Sequence, residues 1–281
     1  MADTELLAQK IFSVKGKVAL VTGGGTGIGK MIAKGLVRNG ARVYIASRKK
    51  ENLDKVAAEL SALGPGECIG IQANLTSKEE CEKLVTEIRR RELDGKLHIL
   101  VNNSGATWGA PLDKIPEKAW DRVNKLNVTG VYYLTIACLP LLEKASVKSR
   151  DPARVIIVGS VVGMIDGDIA GLVSVFGNTA LPYNVSKAAL HHMARGLAVY
   201  LTPRGITVNV IAPGVFPTPM NKHQDETICL SEIPFGRLGI ESDMAGIALY
   251  LSSSASAYVS GAIIPVDGGL NLRPISQHSK I

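Results

Sequence analysis

Seven short, nearly all-apolar runs rich in β-branched residues recur along this 281-residue chain, separated by longer stretches of helical period. They are Lys17–Thr22, Arg42–Ser47, Cys68–Ala73, His98–Asn102, Arg154–Val158, Thr207–Ile211 and Ala262–Val266. A strand apolar on both sides must be covered on both sides, which is the patterning of a parallel sheet. The intervening helices announce themselves by their ends. Ile28 to Asn39 is stopped by Gly40, Lys50 to Leu63 by Gly64-Pro65-Gly66, and Ser77 to Arg91 opens on a Ser-x-x-Glu box. Right-handed crossovers then predict an α/β protein with one doubly wound, seven-stranded parallel sheet and helices on both faces. No linker, repeat or low-complexity segment breaks the rhythm, so residues 1–281 are expected to form one domain, with a core at 14–269 and flexible tails at both ends.

Composition narrows the function classes. At 46% apolar residues the chain can bury a large core. A net charge of +7 raises the question of nucleic acid, but with 5% aromatics and no basic stripe that carries them, no nucleic-acid partner is expected. The most apolar stretch, Arg154 to Gly177, is interrupted by Asp166 and Asp168, so no membrane span is expected there. Cys68, Cys81, Cys138 and Cys229 form no C-x-x-C pair, and His191 and His192 are adjacent and diverge on a helix, so no metal site is expected. Reduced cysteines and an N-terminus without a secretory pattern place the protein in the cytoplasm. The terminal Ser279-Lys280-Ile281 is one conservative change from a peroxisomal address, which leaves that compartment as a second reading.

The first strand runs directly into Thr22-Gly23-Gly24-Gly25-Thr26-Gly27-Ile28-Gly29 and then a helix. Glycines there permit a tight turn and let backbone N–H groups approach a pyrophosphate at the helix N-terminus. A dinucleotide is the expected ligand, held by Gly23, Gly25, Thr26, Gly27, Ile28 and Gly29. Where an NAD binder would place a carboxylate on the ribose, at the end of the second strand, stand Ser47, Arg48 and Lys49. A guanidinium pairs bidentately with a 2′-phosphate, so the cofactor is expected to be NADP(H).

Tyr183 and Lys187 are four residues apart and share a helix face. An ammonium beside a phenol stabilises the phenolate and lowers the phenol's pKa, which would tune a proton shuttle. The pair gains weight from Ser160 after the fifth strand, Asn127 in the helix after the fourth, and Asn102-Asn103-Ser104-Gly105 at the fourth strand's end. All lie beyond strand carboxyl ends or on the helices that follow, the edge where open α/β sheets bind ligands.

From Val14 to Gly269 the chain resembles the short-chain dehydrogenase/reductase family, through TGGGTGIG, Asn74-Leu75, NNSG, Asn127, Ser160 with YNVSK, and Pro213-Gly214 with Thr218. Within it, LVNNSGATWGAPL, DPARVIIVGS and VNVIAPGVFPTPM are similar to NADPH-dependent 3-oxoacyl-(acyl-carrier-protein) reductases of the rhamnolipid-pathway type. The resemblance implies a Rossmann fold, a homotetramer, and reduction of a ketone, free or thioester-linked. It implies that Tyr183 is the general acid, that Lys187 lowers its pKa and holds the nicotinamide ribose, that Ser160 binds the carbonyl oxygen, and that Asn127 supports a water relay. Asn74, Leu75, Asn103, Ser104, Gly105, Pro213, Gly214, Phe216 and Thr218 carry over as cofactor contacts. Two other readings share the fold: an enoyl- or dienoyl-thioester reductase, and a noncatalytic NADP-binding protein. Asn74 stands where many members have aspartate, and Ser104 where alanine is usual.

Ser160 and Tyr183 are separated by 23 positions, more than the family commonly has. The inserted stretch, Gly163 to Pro182, carries Ile165, Ile169, Leu172, Val173, Val175 and Phe176, and is expected to wall the substrate pocket and select its size. Trp108 is expected either to line that pocket or to serve the core. The apolar seventh strand and the helix Ser242 to Leu251 are expected at a sheet edge that a second subunit covers.

Overall fold

A computed structural model describes residues 6–148, 150–165, 179–220 and 230–272. The chain-terminal Ser279-Lys280-Ile281, Cys229 and most of the stretch between Ser160 and Tyr183, including Ile169, Leu172, Val173, Val175 and Phe176, lie outside the described residues.

The strands are β1 Val18–Thr22, β2 Arg42–Ser47, β3 Glu67–Gln72, β4 Ile99–Asn102, β5 Ala153–Val158, β6 Ile206–Pro213 and β7 Ile263–Val266. All pair in parallel, in the order β3-β2-β1-β4-β5-β6-β7. The chain works outward from β1 to β3, then returns to lay β4 on the other side of β1. That reversal leaves a crevice above the carboxyl ends of β1 and β4, the usual ligand position in such sheets.

Helices cover both faces, as the expected Rossmann-type doubly wound sheet requires. They are α1 Ala8–Ile11, α2 Gly27–Arg38, α3 Lys50–Ser61, α4 Lys78–Arg91, α5 Glu117–Asn124, α6 Gly130–Ala145, α7 Leu181–Leu201 and α8 Glu241–Ser252. Side-chain alternation splits the core. Leu20, Tyr44, Leu100, Val155 and Val208 face α4, α6 and α7. Ala19, Val43, Ile45, Ile99 and Ile156 face the opposite way, toward α2, α3 and α8. Ser77 is the N-cap of α4, accepting from the Glu80 amide at 3.3 Å, and lies just outside the helix.

Two placements differ from expectation. α8 does not lie at the sheet edge. It packs on α2, where a Cβ on Gly35 would come 2.9 Å from that of Ala245, and its Met244, Ala248 and Leu251 are fully buried. β7 is an edge, pairing with β6 alone and half-buried along its length, as β3 is at the other end of the sheet. Asn127 is not in a regular α-helix either: Lys125–Thr129 is a π turn joining α5 to α6. The helical stretch 117–145 is long and apolar enough to cross a membrane. Here it serves the core, with Leu134, Cys138 and Leu142 fully buried against the sheet.

Candidate active site

A cleft of about 870 Å³ opens above the carboxyl ends of the strands. At one end lies the glycine turn. Gly23 and Gly27 hold φ of +66° and +52°, which L side chains rarely adopt. Gly29 does not line the cleft; a Cβ there would strike the Gly23 carbonyl, so this glycine lets α2 press onto β1. α2 begins at Gly27, with no side-chain cap at Thr26 and no acidic residue in its first turn. Its first N–H groups and the positive end of its dipole are therefore open to an anion.

The turn is braced from two sides. Asn52, which the sequence reading passed over, donates its amide to the Gly25 carbonyl at 3.0 Å. Thr22, at the end of β1, accepts from the backbone N–H groups of both Asn103 and Ser104 at 2.9 Å, and Asn103 Nδ2 donates to the Thr22 carbonyl at 2.8 Å. Gly25, Thr26, Ile28, Ser47, Arg48, Lys49, Asn74, Leu75, Asn103, Ser104, Gly105, Pro213, Gly214, Phe216 and Thr218 all line the same cleft. Arg48 is exposed and has no acidic partner among the described residues. Phe216 is buried, its ring set against Gly239.

Ser160, Tyr183 and Lys187 line the other end. Ser160 caps the 3-10 turn Val161–Gly163, accepting from Val162 N at 3.4 Å. α7 begins at Leu181 with Pro182 in its first turn, where a missing N–H costs nothing, and so presents Tyr183 and Lys187 one turn apart. The Tyr183 phenol faces the Ser160 hydroxyl, which acts to lower its pKa. Lys187, 4% exposed, donates Nζ to the Val158 carbonyl at 2.8 Å and lies 5.4 Å from the Tyr183 ring centroid.

The electrostatics correct one expectation. Lys187 does not lower the Tyr183 pKa in this arrangement, because its ammonium faces the ring and bonds Val158. Burial pushes the phenol up to about 12, opposed by the nearby Ser160 hydroxyl, and burial pulls Lys187 down to about 8.

Asn127 is 1% exposed and does not line the cleft. Its Oδ1 accepts from Ala106 N at 2.8 Å, while Nδ2 donates to Ala106 O at 3.0 Å and Ser186 Oγ at 2.9 Å. Ser186 in turn donates to the Tyr183 carbonyl at 2.7 Å. With both N–H groups committed, this carboxamide ties the loop after β4 to α7. Trp108 also stays out of the cleft lining. It sits half-buried with Lys118 and Arg122 at 5.7 and 5.8 Å from its ring, a cation–π arrangement.

The short chain dehydrogenase family model matches residues 17–228. The chain belongs to that family. The rhamnolipids biosynthesis 3-oxoacyl-[acyl-carrier-protein] reductase of Pseudomonas aeruginosa is 44% identical over 266 residues, covering 93% of this chain and 98% of the relative. Among solved structures, the RhlG/NADP active-site complex of Pseudomonas aeruginosa superposes with a TM-score of 0.83 at 43% identity, covering 93% of this chain and 98% of that one. The NADPH-dependent 3-quinuclidinone reductase of Rhodotorula rubra gives 0.84 at 27% identity, covering 97% and 98%.

Thr22 generates the first test. Thr22→Val keeps the shape but leaves the part-buried N–H groups of Asn103 and Ser104 without their acceptor, and should cost about 1–3 kcal/mol. Urea unfolding should show a lower midpoint at unchanged slope. An unchanged midpoint would mean that the hydroxyl does not hold the loop.

Proposed function

We propose that this dehydrogenase uses NADPH to reduce a ketone, free or thioester-linked, to a secondary alcohol. One observation carries the reading: a serine hydroxyl facing the phenol of a half-buried tyrosine, with a buried lysine beside them, at the end of a cleft whose other end is built for a dinucleotide. The uncapped start of α2 suits a pyrophosphate, and the unpaired Arg48 suits a ribose 2′-phosphate. The relatives named for 3-oxoacyl-carrier and quinuclidinone reduction support carbonyl chemistry over enoyl reduction and over a noncatalytic role.

When bound along the cleft, NADPH would supply a hydride to the carbonyl carbon. Ser160 and Tyr183 both donate hydrogen bonds to the carbonyl oxygen. As that oxygen gains charge, the proton moves from the Tyr183 hydroxyl to it, leaving an alcohol and a phenolate. A phenol raised by burial is fully protonated at neutral pH, as a proton donor must be. Lys187, one turn below, is placed to hold the nicotinamide ribose. Asn127 and Ser186 keep the loop after β4 and the start of α7 in register.

The catalytic unit is read as one domain over residues 14–269, in the cytoplasm, where NADPH and reduced thiols coexist; Cys68, Cys81 and Cys138 are free. A homotetramer fits the half-exposed edge strand β7 and the exposed Tyr132 and Ile136 of α6 and Val199 and Tyr200 of α7, apolar surface that a symmetric partner would cover. Light scattering on a sizing column should return four times the 29.8 kDa chain mass, and a monomer would remove the assembly from this reading.

Arg48→Asp should weaken NADPH binding far more than NADH binding, with both dissociation constants measured by nucleotide fluorescence. Equal losses would take Arg48 out of the phosphate site. For the chemistry, NADPH oxidation over a panel of β-ketoacyl thioesters and small cyclic ketones should identify a substrate. On it Tyr183→Phe should lose orders of magnitude in kcat with NADPH affinity nearly unchanged. Retention of most of kcat would remove Tyr183 as the proton donor.

A further inference from the structure

α7 carries a third buried polar side chain in line with Tyr183 and Lys187. His191 follows Lys187 by four residues, so the three lie along one stripe of the helix. It is 5% exposed. Its ring lies against the turn that leaves β5. A Cβ on Gly159 would run into Nε2, and one on Gly163 would sit 2.9 Å from Cε1. The Gly163 backbone lies beside the ring and favours its protonated form against the burial. Between these glycines stands Ser160, and just before them Val158 receives the Lys187 ammonium. Residues 158–163 are thus held to α7 at two points, by Lys187 at the start and by His191 on both sides of Ser160.

Packing by itself does not call for histidine here. Nε2 is buried with no hydrogen-bond partner among the described residues. Burial, reinforced by the nearby Lys187 charge, pulls the imidazole down to about 4 and keeps it neutral. A leucine would fill similar volume without stranding a polar atom. What the imidazole adds is a flat face that two glycines can approach closely.

We propose that His191 is a positioning residue for Ser160, fixing the Gly159–Gly163 turn so that the serine hydroxyl stays facing Tyr183 at the end of the cleft. It touches neither substrate nor cofactor. The inference rests on the ketone-reduction reading and names a further residue for the same reaction.

The test uses the full chain, NADPH and the best ketone of the panel. His191→Leu should lower kcat on the order of tenfold or more, the effect expected of a misplaced reacting group. KM and the NADPH dissociation constant should change little, and Tm should stay level or rise, a split that a purely structural role would not produce. His191→Asn, which keeps a small planar group toward Gly163, should recover most of the rate. In a Ser160→Ala background, His191→Leu should cost nothing further, because it acts through the serine. Losses that multiply in the double variant overturn the proposal. So does an unchanged kcat in His191→Leu, or a fall in Tm and NADPH affinity that tracks the rate in both variants. If neither variant folds, His191 is a core residue and the proposal fails. A Ser160→Ala variant with full kcat would instead sink the ketone-reduction reading, and this inference with it.

Discussion

At the end of β1 the Thr22 hydroxyl makes three bonds to the neighbouring strand and its loop. It accepts from the amides of Asn103 and Ser104 and donates to the Val101 carbonyl at 3.3 Å. β1 and β4 are the strands between which the chain reverses its direction of travel across the sheet, so no ladder continues beyond Thr22 and Asn102. Without a side-chain acceptor, the two amides above that point would be part-buried and unpaired. The hydroxyl closes the gap between the strands just where they must splay to form a crevice. Both walls of the cleft, the glycine turn on one side and the NNSG loop on the other, take their positions from it.

A second set of braces carries this order to the other end of the cleft. The π turn at Lys125–Thr129 swings Asn127 inward, and π turns recur at sites where a side chain must be re-aimed. From there its carboxamide links Ala106 on the NNSG side to Ser186, and Ser186 links to the Tyr183 carbonyl. The Lys187 bond to Val158 ties the same helix back to β5. The reacting side chains thus stand on a helix and a strand end that are fixed to each other through buried polar groups. Few of those groups reach the cleft themselves, and rigidity of this kind is what orientation in catalysis requires.

Burial sets the electrostatics of the site. It moves Tyr183 and Lys187 in opposite directions, each toward its neutral form. Ser160 supplies the opposing influence on the phenol, which gives its placement a weight beyond holding substrate. At the far end the charge logic is different. There the exposed Arg48 and the open amides at the start of α2 attract phosphate without desolvation, which suits a ligand that must bind and leave at each turnover.

The seven strands could be read from the sequence because a strand buried on both faces needs an unbroken apolar run, and that need is local. The glycine turn was equally plain, since positive φ at Gly23 and Gly27 and the close approach at Gly29 restrict residue type whatever the surroundings. Tyr183, Lys187 and Ser160 could be singled out by chemistry and spacing. What the tertiary structure decided depends on distances between parts remote in sequence. Asn127 became a brace because Ala106 and Ser186 meet it in space. α8 left the sheet edge because Gly35 offers Ala245 a close seat on α2. The Tyr183 phenol is raised because its neighbourhood excludes water while the Lys187 ammonium bonds Val158. His191 shows the division most plainly: in the sequence it is one of two adjacent histidines, and only the fold sets its ring against the two glycines that flank Ser160. Side-chain type and local spacing are properties of the chain alone, whereas hydrogen-bond partnership and burial are created when β5, the loop after β4 and α7 converge.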